Sequence, residues 1–228
     1  MKARRVPRQL LRDVVEHLPR AEVNETAVPS YTHPNPLIRR LFWRRLDTAL
    51  GLAAVKPTDR VLDFGTGSGI LLPTLTRYAG SVTATDLDVS PAQSLARGMN
   101  LGATIVPPEE FASWTAAHAG SIDLIFALDV FEHLSEVQLP AVGNTLRALL
   151  APGGRMIVSG PTESLMYRVG RFIAGFRNVY HYRSVFDIDD QLQHDWVAEQ
   201  AAFLPRLPRA FLITRYVPRR GGVANGSA

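Results

Sequence analysis

The chain has 228 residues, 46% of them apolar, and a formal net charge of +4. This length suits one α/β domain with an elaboration, or one and a half small domains. Cysteine is absent, which excludes disulfides, thiolate nucleophiles and cysteine-based zinc sites. No stretch approaches the roughly 20 apolar residues of a membrane span, and residues 1–18 contain no apolar run of signal-peptide length. These features predict a cytoplasmic protein.

The charge is unevenly distributed along the chain. Residues 1–45 carry ten Lys/Arg against four Asp/Glu, residues 46–160 carry six against eleven, and residues 161–228 carry nine against six. Basic flanks can bind an anionic substrate, a membrane surface or nucleic acid. Because sign asymmetry alone supports none of these, a solvated basic surface is the favoured interpretation.

Two helices and a loop are predicted ahead of the core. Apolar residues recur at helical spacing in 9–18, and Pro19 ends that helix. The segment 20–36 is rich in proline and asparagine, which indicates an irregular loop. Residues 37–52 predict an amphipathic helix beside the first core strand, with Leu37 on its apolar face. Its other face is expected to be solvated and to carry most of four arginines, Arg39, Arg40, Arg44 and Arg45.

The stretch 61–69 (VLDFGTGSG) joins a strand signal to a turn signal. Two apolar residues, Asp63 and Phe64 predict the end of a buried strand. Glycines at alternate positions then permit positive φ and let a ligand lie on the backbone. The apolar segment 70–78 predicts the helix that follows. Free N–H groups and the helix dipole converge at such a turn, which favours a nucleotide site over an ordinary tight βα turn.

The next units alternate strands and helices. Ser81–Asp86 alternates like a strand and ends in an acid, 21 residues after Gly65. An acid at this point of a βαβ unit accepts hydrogen bonds from a ribose diol or caps the next helix. The predicted helix at 91–99 and strand at 103–106 lead to two glutamates, at positions 109 and 110, which suit the start of a helix at 111–118.

The second half of the core begins with the near-continuous apolar run 122–128 (IDLIFAL), as expected for a strand covered on both faces. The residues after it are Asp-Val-Phe-Glu-His-Leu at 129–134. A helix to about residue 150 ends at 151–154 (APGG), and 155–159 (RMIVS) predicts the fifth strand. The segments 196–203 and 210–217 suit two final strands.

These motifs occur in order over residues 61–160, and together they resemble the class I S-adenosylmethionine-dependent methyltransferases, especially the small-molecule group that carries "EHL". The resemblance implies an α/β, Rossmann-like fold with a seven-stranded, mostly parallel sheet, helices on both faces and a final antiparallel strand. The expected division is a helical arm at 1–55, a cofactor-binding core at 56–160, an acceptor-side segment with the last strands at 161–218, and a flexible tail at 219–228.

The resemblance also implies S-adenosylmethionine as cofactor and a small-molecule or lipid-like methyl acceptor. Asp63 is expected near the ammonium group of the cofactor, although a cap for loop N–H groups is the alternative. Asp86 is expected on the ribose and Leu87 on the adenine. Glu109, or Glu110, is expected at the adenine amino group or at the helix start. The remaining cofactor-binding candidates form the glycine loop and the end of the fourth strand: Gly65, Thr66, Gly67, Gly69, Leu128 and Asp129.

Methyl transfer from a sulfonium is an in-line displacement, so the protein mainly has to align two reactants and exclude water. Neither a triad nor a metal is required, and none is predicted. If the acceptor is a hydroxyl, His133 and His181 are the candidate catalytic bases. A structural role is an equal alternative for His133, and it is the more common role for a lone histidine such as His181.

The segment 164–177 (SLMYRVGRFIAGFR) combines an apolar stripe with arginines. It suits a crossover helix packed on the sheet, a lid over the acceptor or a helix in peripheral contact with a membrane. Nucleic acid is disfavoured because no RNA-binding module is present, nor is the (D/N)PP(Y/F) tetrapeptide. A nicotinamide oxidoreductase is disfavoured by Ile70, which stands where that fingerprint needs glycine. A non-catalytic cofactor-binding module is the other alternative, and the oligomeric state is not predicted.

Overall fold

The computed structural model describes residues 1–19, 23, 26–162, 184–204 and 210–219. The described part contains a seven-stranded sheet covered on both faces. The strands are β1 Arg60–Phe64, β2 Ser81–Thr85, β3 Thr104–Val106, β4 Ile122–Leu128, β5 Leu150–Pro161, β6 Trp196–Leu204 and β7 Phe211–Pro218. The helices are α1 Arg8–Asp13, α2 Val28–Thr32, α3 Pro36–Ala53, α4 Leu72–Tyr78, α5 Ser90–Gly98, α6 Pro108–Ala117, α7 Gln138–Leu149 and α8 Val185–Leu192.

The strand order is β3-β2-β1-β4-β5-β7-β6. β1 pairs in parallel with β2 on one side and with β4 on the other, so the winding of the chain reverses between β1 and β4. β5 is parallel to β4, whereas β7 is antiparallel to both β5 and β6. Loops diverge at such a reversal and open a crevice, which is the usual ligand site of open α/β sheets. The topology confirms the predicted Rossmann-like, mostly parallel sheet.

Successive side chains of the central strands are buried on opposite faces of the sheet. Val61 of β1 lies in the hydrophobic cluster that contains the N-terminal helices, and Leu62 lies in the cluster on the other face. β4 alternates in the same way, with Leu124 and Phe126 in the first cluster and Ile125 in the second. Since both faces are covered, these strands can be apolar throughout, as the sequence of β4 predicted.

The N-terminal helices differ from the predicted ones. α1 ends at Asp13 instead of Leu18, because the following residues form tighter turns such as the hydrogen bond from Leu18 N to Val15 O (3.0 Å). The stretch predicted as an irregular loop contains α2, whose Tyr31 is fully buried in the core. Tertiary burial stabilises such a short helix where local sequence signals do not.

Two predicted helix starts in the core also shift. α4 begins at Leu72 instead of residue 70, because the glycine turn extends through the intervening residues. α6 begins at Pro108 instead of Phe111. Both helices have proline in the first turn, where its missing N–H leaves no hydrogen bond unmade.

The N-terminal arm packs directly on the sheet. α3 lies against β5, β6 and β7, not beside β1 as predicted. Trp43, Leu46 and Leu50 of α3 are buried in the same cluster as Val61 of β1. Leu37, in contrast, is 72% exposed in the first turn, so its predicted place on the apolar face was wrong. Among the helices of the described ranges, none is long and apolar enough to cross a bilayer.

Candidate active site

The loop after β1 has the backbone that its glycines predicted. Gly65, Gly67 and Gly69 all have positive φ, at 73°, 54° and 73°. At Gly65, an added Cβ would overlap Cγ2 of Val130 and lie 3.2 Å from its Cγ1, so only glycine fits. At Gly67, an added Cβ would meet no atom within 4 Å. The loop is therefore packed tightly against the residues after β4, while its middle borders open space.

Asp63 lies at the base of this loop. Its side chain is 3% exposed, and its Oδ2 accepts a hydrogen bond from Thr66 Oγ1 (2.7 Å). Burial raises the pKa of Asp63 to about 7; the hydrogen bond from Thr66 opposes this shift, and the charge of Asp86 adds to it. A cation that approaches this carboxyl favours its ionised form, which suits a site for an ammonium group.

Asp86 is hydrogen-bonded to the glycine loop. Its Oδ2 accepts a hydrogen bond from Gly67 N (2.6 Å), and its Oδ1 accepts one from Leu87 N (2.7 Å). Thr85 O accepts from the N–H groups of both Gly65 and Thr66 (2.9 and 3.0 Å), which joins the ends of β1 and β2. Burial raises the pKa of Asp86, and hydrogen bonds from backbone N–H groups oppose this effect. The structure thus brings together two motifs that are 21 residues apart.

The helix-cap alternative for Asp86 does not match the hydrogen bonding. The first residue of α5, Ser90, donates its N–H to Asp88 Oδ1 (2.9 Å), so Asp88 serves this helix start. Asp86 instead points to the loop. Leu87, beside it, is 91% exposed at the end of β2.

Aromatic rings border the loop on the β3 side. The Phe64 ring lies 5.7 Å from that of Phe111, which lies 5.9 Å from the ring of Trp114. Trp114 stacks on His118 at 4.3 Å. We did not predict these rings as site residues, although Phe64 directly precedes the glycine loop. Glu109 is exposed in the first turn of α6, where an acid is favourable near the helix N-terminus.

The end of β4 faces the glycine loop. Leu128 is partly buried, and Asp129 has a left-handed φ of 57° that few non-glycine residues adopt. Asp129 N donates to Ser159 O (2.9 Å), and Ser159 Oγ donates to Asp129 Oδ1 (3.1 Å). Val130, the next residue, touches Gly65. These contacts fix Asp129 at the border of the crevice.

Arg45 of α3 forms an ion pair with Asp129 through Nη1 and Oδ2. The residue is 2% exposed, so its predicted place on a solvated face was wrong. Its Cζ lies 5.3 Å and 5.2 Å from the ring centroids of Phe42 and Phe211, and its Nη2 lies 3.4 Å from the hydroxyl of Tyr31. An arginine can be buried here because a carboxylate and aromatic rings replace the water.

The two predicted catalytic histidines have different outcomes. His133 is exposed at the end of a one-turn 3-10 helix, Phe131–His133, and its N–H donates to Val130 O (3.1 Å). His181 and the segment 164–177 lie outside the described residues. Within the described ranges, no group of three or more His, Asp or Glu side chains could hold a metal ion.

A glycine loop bonded to the acid of the next strand, at the point where the strand order reverses, is the arrangement typical of Rossmann-like proteins of the class I methyltransferase type. A sequence profile of the methyltransferase domain matches residues 9–209, and the chain belongs to that family. The resemblance given by the motifs is therefore confirmed.

A curated relative with detectable similarity is the ubiquinone biosynthesis O-methyltransferase of Xanthomonas axonopodis pv. citri, which is 32% identical over 105 residues. The match spans 44% of this chain and 42% of the relative, so less than half of either protein is compared.

Two solved structures share the fold. The PH0226 protein from Pyrococcus horikoshii OT3 has a TM-score of 0.68 and 18% identity, covering 84% of this chain and 96% of its own. Magnesium protoporphyrin IX methyltransferase from Synechocystis PCC 6803, solved with bound SAH (S-adenosylhomocysteine), has a TM-score of 0.62 and 18% identity, covering 94% and 100%.

Proposed function

We propose that the protein transfers the methyl group of S-adenosylmethionine to a small-molecule or lipid-like acceptor. The observation that carries the proposal is the hydrogen bond between Asp86 and Gly67 N (2.6 Å), which joins the acid and the loop into one site. Membership of the methyltransferase domain family supports the proposal, as does the O-methyltransferase activity in the name of the Xanthomonas relative. A cytoplasmic location stays a prediction.

The residues of the crevice fit this cofactor. The space in front of Gly67 admits a ligand against the backbone, because a Cβ there would meet no other atom. The carboxylate oxygens of Asp86 each keep a lone pair for a ribose hydroxyl, and buried Asp63 suits the ammonium group. Leu87 and Glu109 would border the adenine. The backbone from Leu128 to Asp129 would line the opposite side, across from the glycine loop with Thr66 and Gly69.

When bound, the cofactor supplies a methyl group already activated by its sulfonium. The residues of the chain then have to hold the acceptor nucleophile in line with the methyl carbon and exclude water. The bond to the acceptor forms as the bond to sulfur breaks, and the electron pair of that bond remains on sulfur. A hydroxyl acceptor also loses a proton, for which His133 and His181 remain the candidate bases.

Isothermal calorimetry with S-adenosylmethionine, S-adenosylhomocysteine and NAD tests the donor site. We expect the two adenosyl compounds to bind and NAD not to bind. We also expect Asp86→Ala to weaken their binding by at least about tenfold, since two or more charge-assisted hydrogen bonds are lost. The matched control is Asp88→Ala, which removes an acid two residues away whose side chain accepts a hydrogen bond from Ser90 at the start of α5. Binding of NAD alone would support an oxidoreductase and refute the proposal.

Turnover with a panel of phenolic, carboxylic and amine acceptors separates an enzyme from a cofactor-binding module. If the cofactor binds and no acceptor is methylated, the non-catalytic alternative is favoured. Replacement of His181 by alanine with full turnover of the true acceptor would remove that residue as a base.

We further propose that the amphipathic segment 164–177 contacts the acceptor side or a membrane surface, on the basis of its sequence pattern. Co-sedimentation with anionic liposomes tests the membrane version. No binding at low salt would refute it, because electrostatic attraction is strongest there.

A further inference from the structure

The buried ion pair between Arg45 and Asp129 lies at the edge of the donor crevice. Arg45 comes from α3 in the N-terminal arm, and Asp129 comes from the end of β4. The arginine side chain is 3% exposed, whereas that of Asp129 is 28% exposed. The acid is therefore the more exposed member of the pair, at the end of a strand that borders the crevice, and the arginine is the buried member.

Contacts on three sides hold this pair in place. Ser159 of β5 donates to Asp129 Oδ1, and Val130 packs against Gly65 of the glycine loop. Phe42 and Phe211 flank the guanidinium. The Nε of Arg45 has no hydrogen-bond partner within the described residues, so Asp129 is the main compensation for the buried charge.

We propose that Arg45 is a positioning residue that neutralises Asp129 and so sets the electrostatic potential at the sulfonium of the bound donor. This inference depends on the proposed function, since it requires the adenosyl compound to occupy the crevice. S-adenosylmethionine carries a positive sulfur that S-adenosylhomocysteine lacks. Methyl transfer removes the positive charge from sulfur. An unpaired carboxylate at this border would therefore stabilise the charged donor more than the transition state, which would slow the reaction. The ion pair leaves the donor and the product with similar electrostatic stabilisation.

The test is the ratio of the affinities for S-adenosylmethionine and S-adenosylhomocysteine, measured by calorimetry at about pH 8, where exposed carboxylates are ionised. Arg45→Met leaves Asp129 unneutralised, and we expect the ratio to rise about tenfold in favour of the sulfonium. Asp129→Asn leaves the arginine unneutralised, and we expect the ratio to fall by a similar factor. A unit charge at about 10 Å in surroundings of effective dielectric constant about 20 has an effect of this size.

Two controls separate charge from structure. Arg44→Met removes the same charge from the adjacent, exposed position of α3 and is expected to leave the ratio unchanged, because water screens it. The double variant Arg45→Met/Asp129→Asn removes both charges and is expected to restore the ratio of the natural protein. If Arg45 had only a structural role, its replacement would weaken the binding of both ligands equally and leave the ratio of their affinities unchanged.

Arg45→Lys keeps the charge and is expected to keep the ratio, so it is a further control; if Arg45→Met does not fold, Asp129→Asn carries the test. The inference is overturned if Asp129→Asn and Arg45→Met leave the ratio within about twofold of the natural protein, or shift it in the same direction. Absence of binding of both ligands to the natural protein would instead refute the proposed function.

Discussion

Substitution of the first and second glycines of the loop should separate folding from ligand binding. At Gly65, alanine must adopt a φ of 73° and place its Cβ onto Val130. The left-handed backbone costs about 1–2 kcal/mol, and overpacking costs about 1–3 kcal/mol more. At Gly67, alanine has a φ of 54° but meets no atom, so only the backbone cost of about 1–2 kcal/mol applies.

We therefore expect Gly65→Ala to lower the free energy of unfolding by about 2–5 kcal/mol in denaturant titrations. Adding Val130→Ala to Gly65→Ala should recover the packing part, which a double-mutant cycle would report as a coupling of about 1–3 kcal/mol. Gly67→Ala should be the more stable single variant but should bind S-adenosylhomocysteine at least about tenfold more weakly, because its methyl group fills the space for the ligand.

The pair of measurements can contradict this account in two separate ways. Undiminished affinity of Gly67→Ala for S-adenosylhomocysteine would mean that the ligand does not lie against this part of the loop. A stability of Gly65→Ala equal to that of Gly67→Ala, with no coupling to Val130, would mean that the loop is not packed against the residues after β4.

Two further predictions concern pH and stability. Folding raises the pKa of Asp63 to about 7 from an ordinary value near 4, so the folded state binds more protons between about pH 4 and pH 7. The free energy of unfolding should fall as pH rises through this range, by on the order of 4 kcal/mol in total. In urea titrations, Asp63→Asn should remove this dependence on pH. The same dependence of the free energy of unfolding on pH in Asp63→Asn and in the natural protein would contradict the assigned pKa. Arg155→Met breaks a buried ion pair with Asp59 (2.7 Å) and should cost about 3–5 kcal/mol. Arg60→Met breaks a more exposed pair with Asp123 (2.9 Å) and should lower the stability much less, because water screens this pair. Equal thermal stability of these two variants would refute the distinction.

Local signals were sufficient to predict the parallel core. The run of β4 was predicted at its observed bounds, because a strand buried on both faces is apolar over nearly its whole length. The glycine loop and Asp86 were predicted from spacing, and the structure joins them because β1 and β2 pair in register, with Phe64 opposite Thr85.

The features that sequence reasoning missed depend on contacts between distant segments. α2 lies in a stretch rich in helix breakers, and burial of its Tyr31 is a tertiary effect. Arg45 was predicted to lie on the surface because arginine is charged. Its spacing indicates the opposite, since it lies three residues after Phe42 and four before Ala49, on the buried stripe of α3. Its partner Asp129 is 84 residues away, and no local pattern connects the two.

The row of rings beside the glycine loop also gives the molecule an optical property. Trp114 is separated from Phe64 by one phenyl ring, and its indole lies face to face with the imidazole of His118. Indole emission responds to the groups that its ring contacts. A molecule that displaces Phe64 or tilts Phe111 would change this stacking, so the tryptophan fluorescence should report occupancy of the neighbouring crevice without any attached dye.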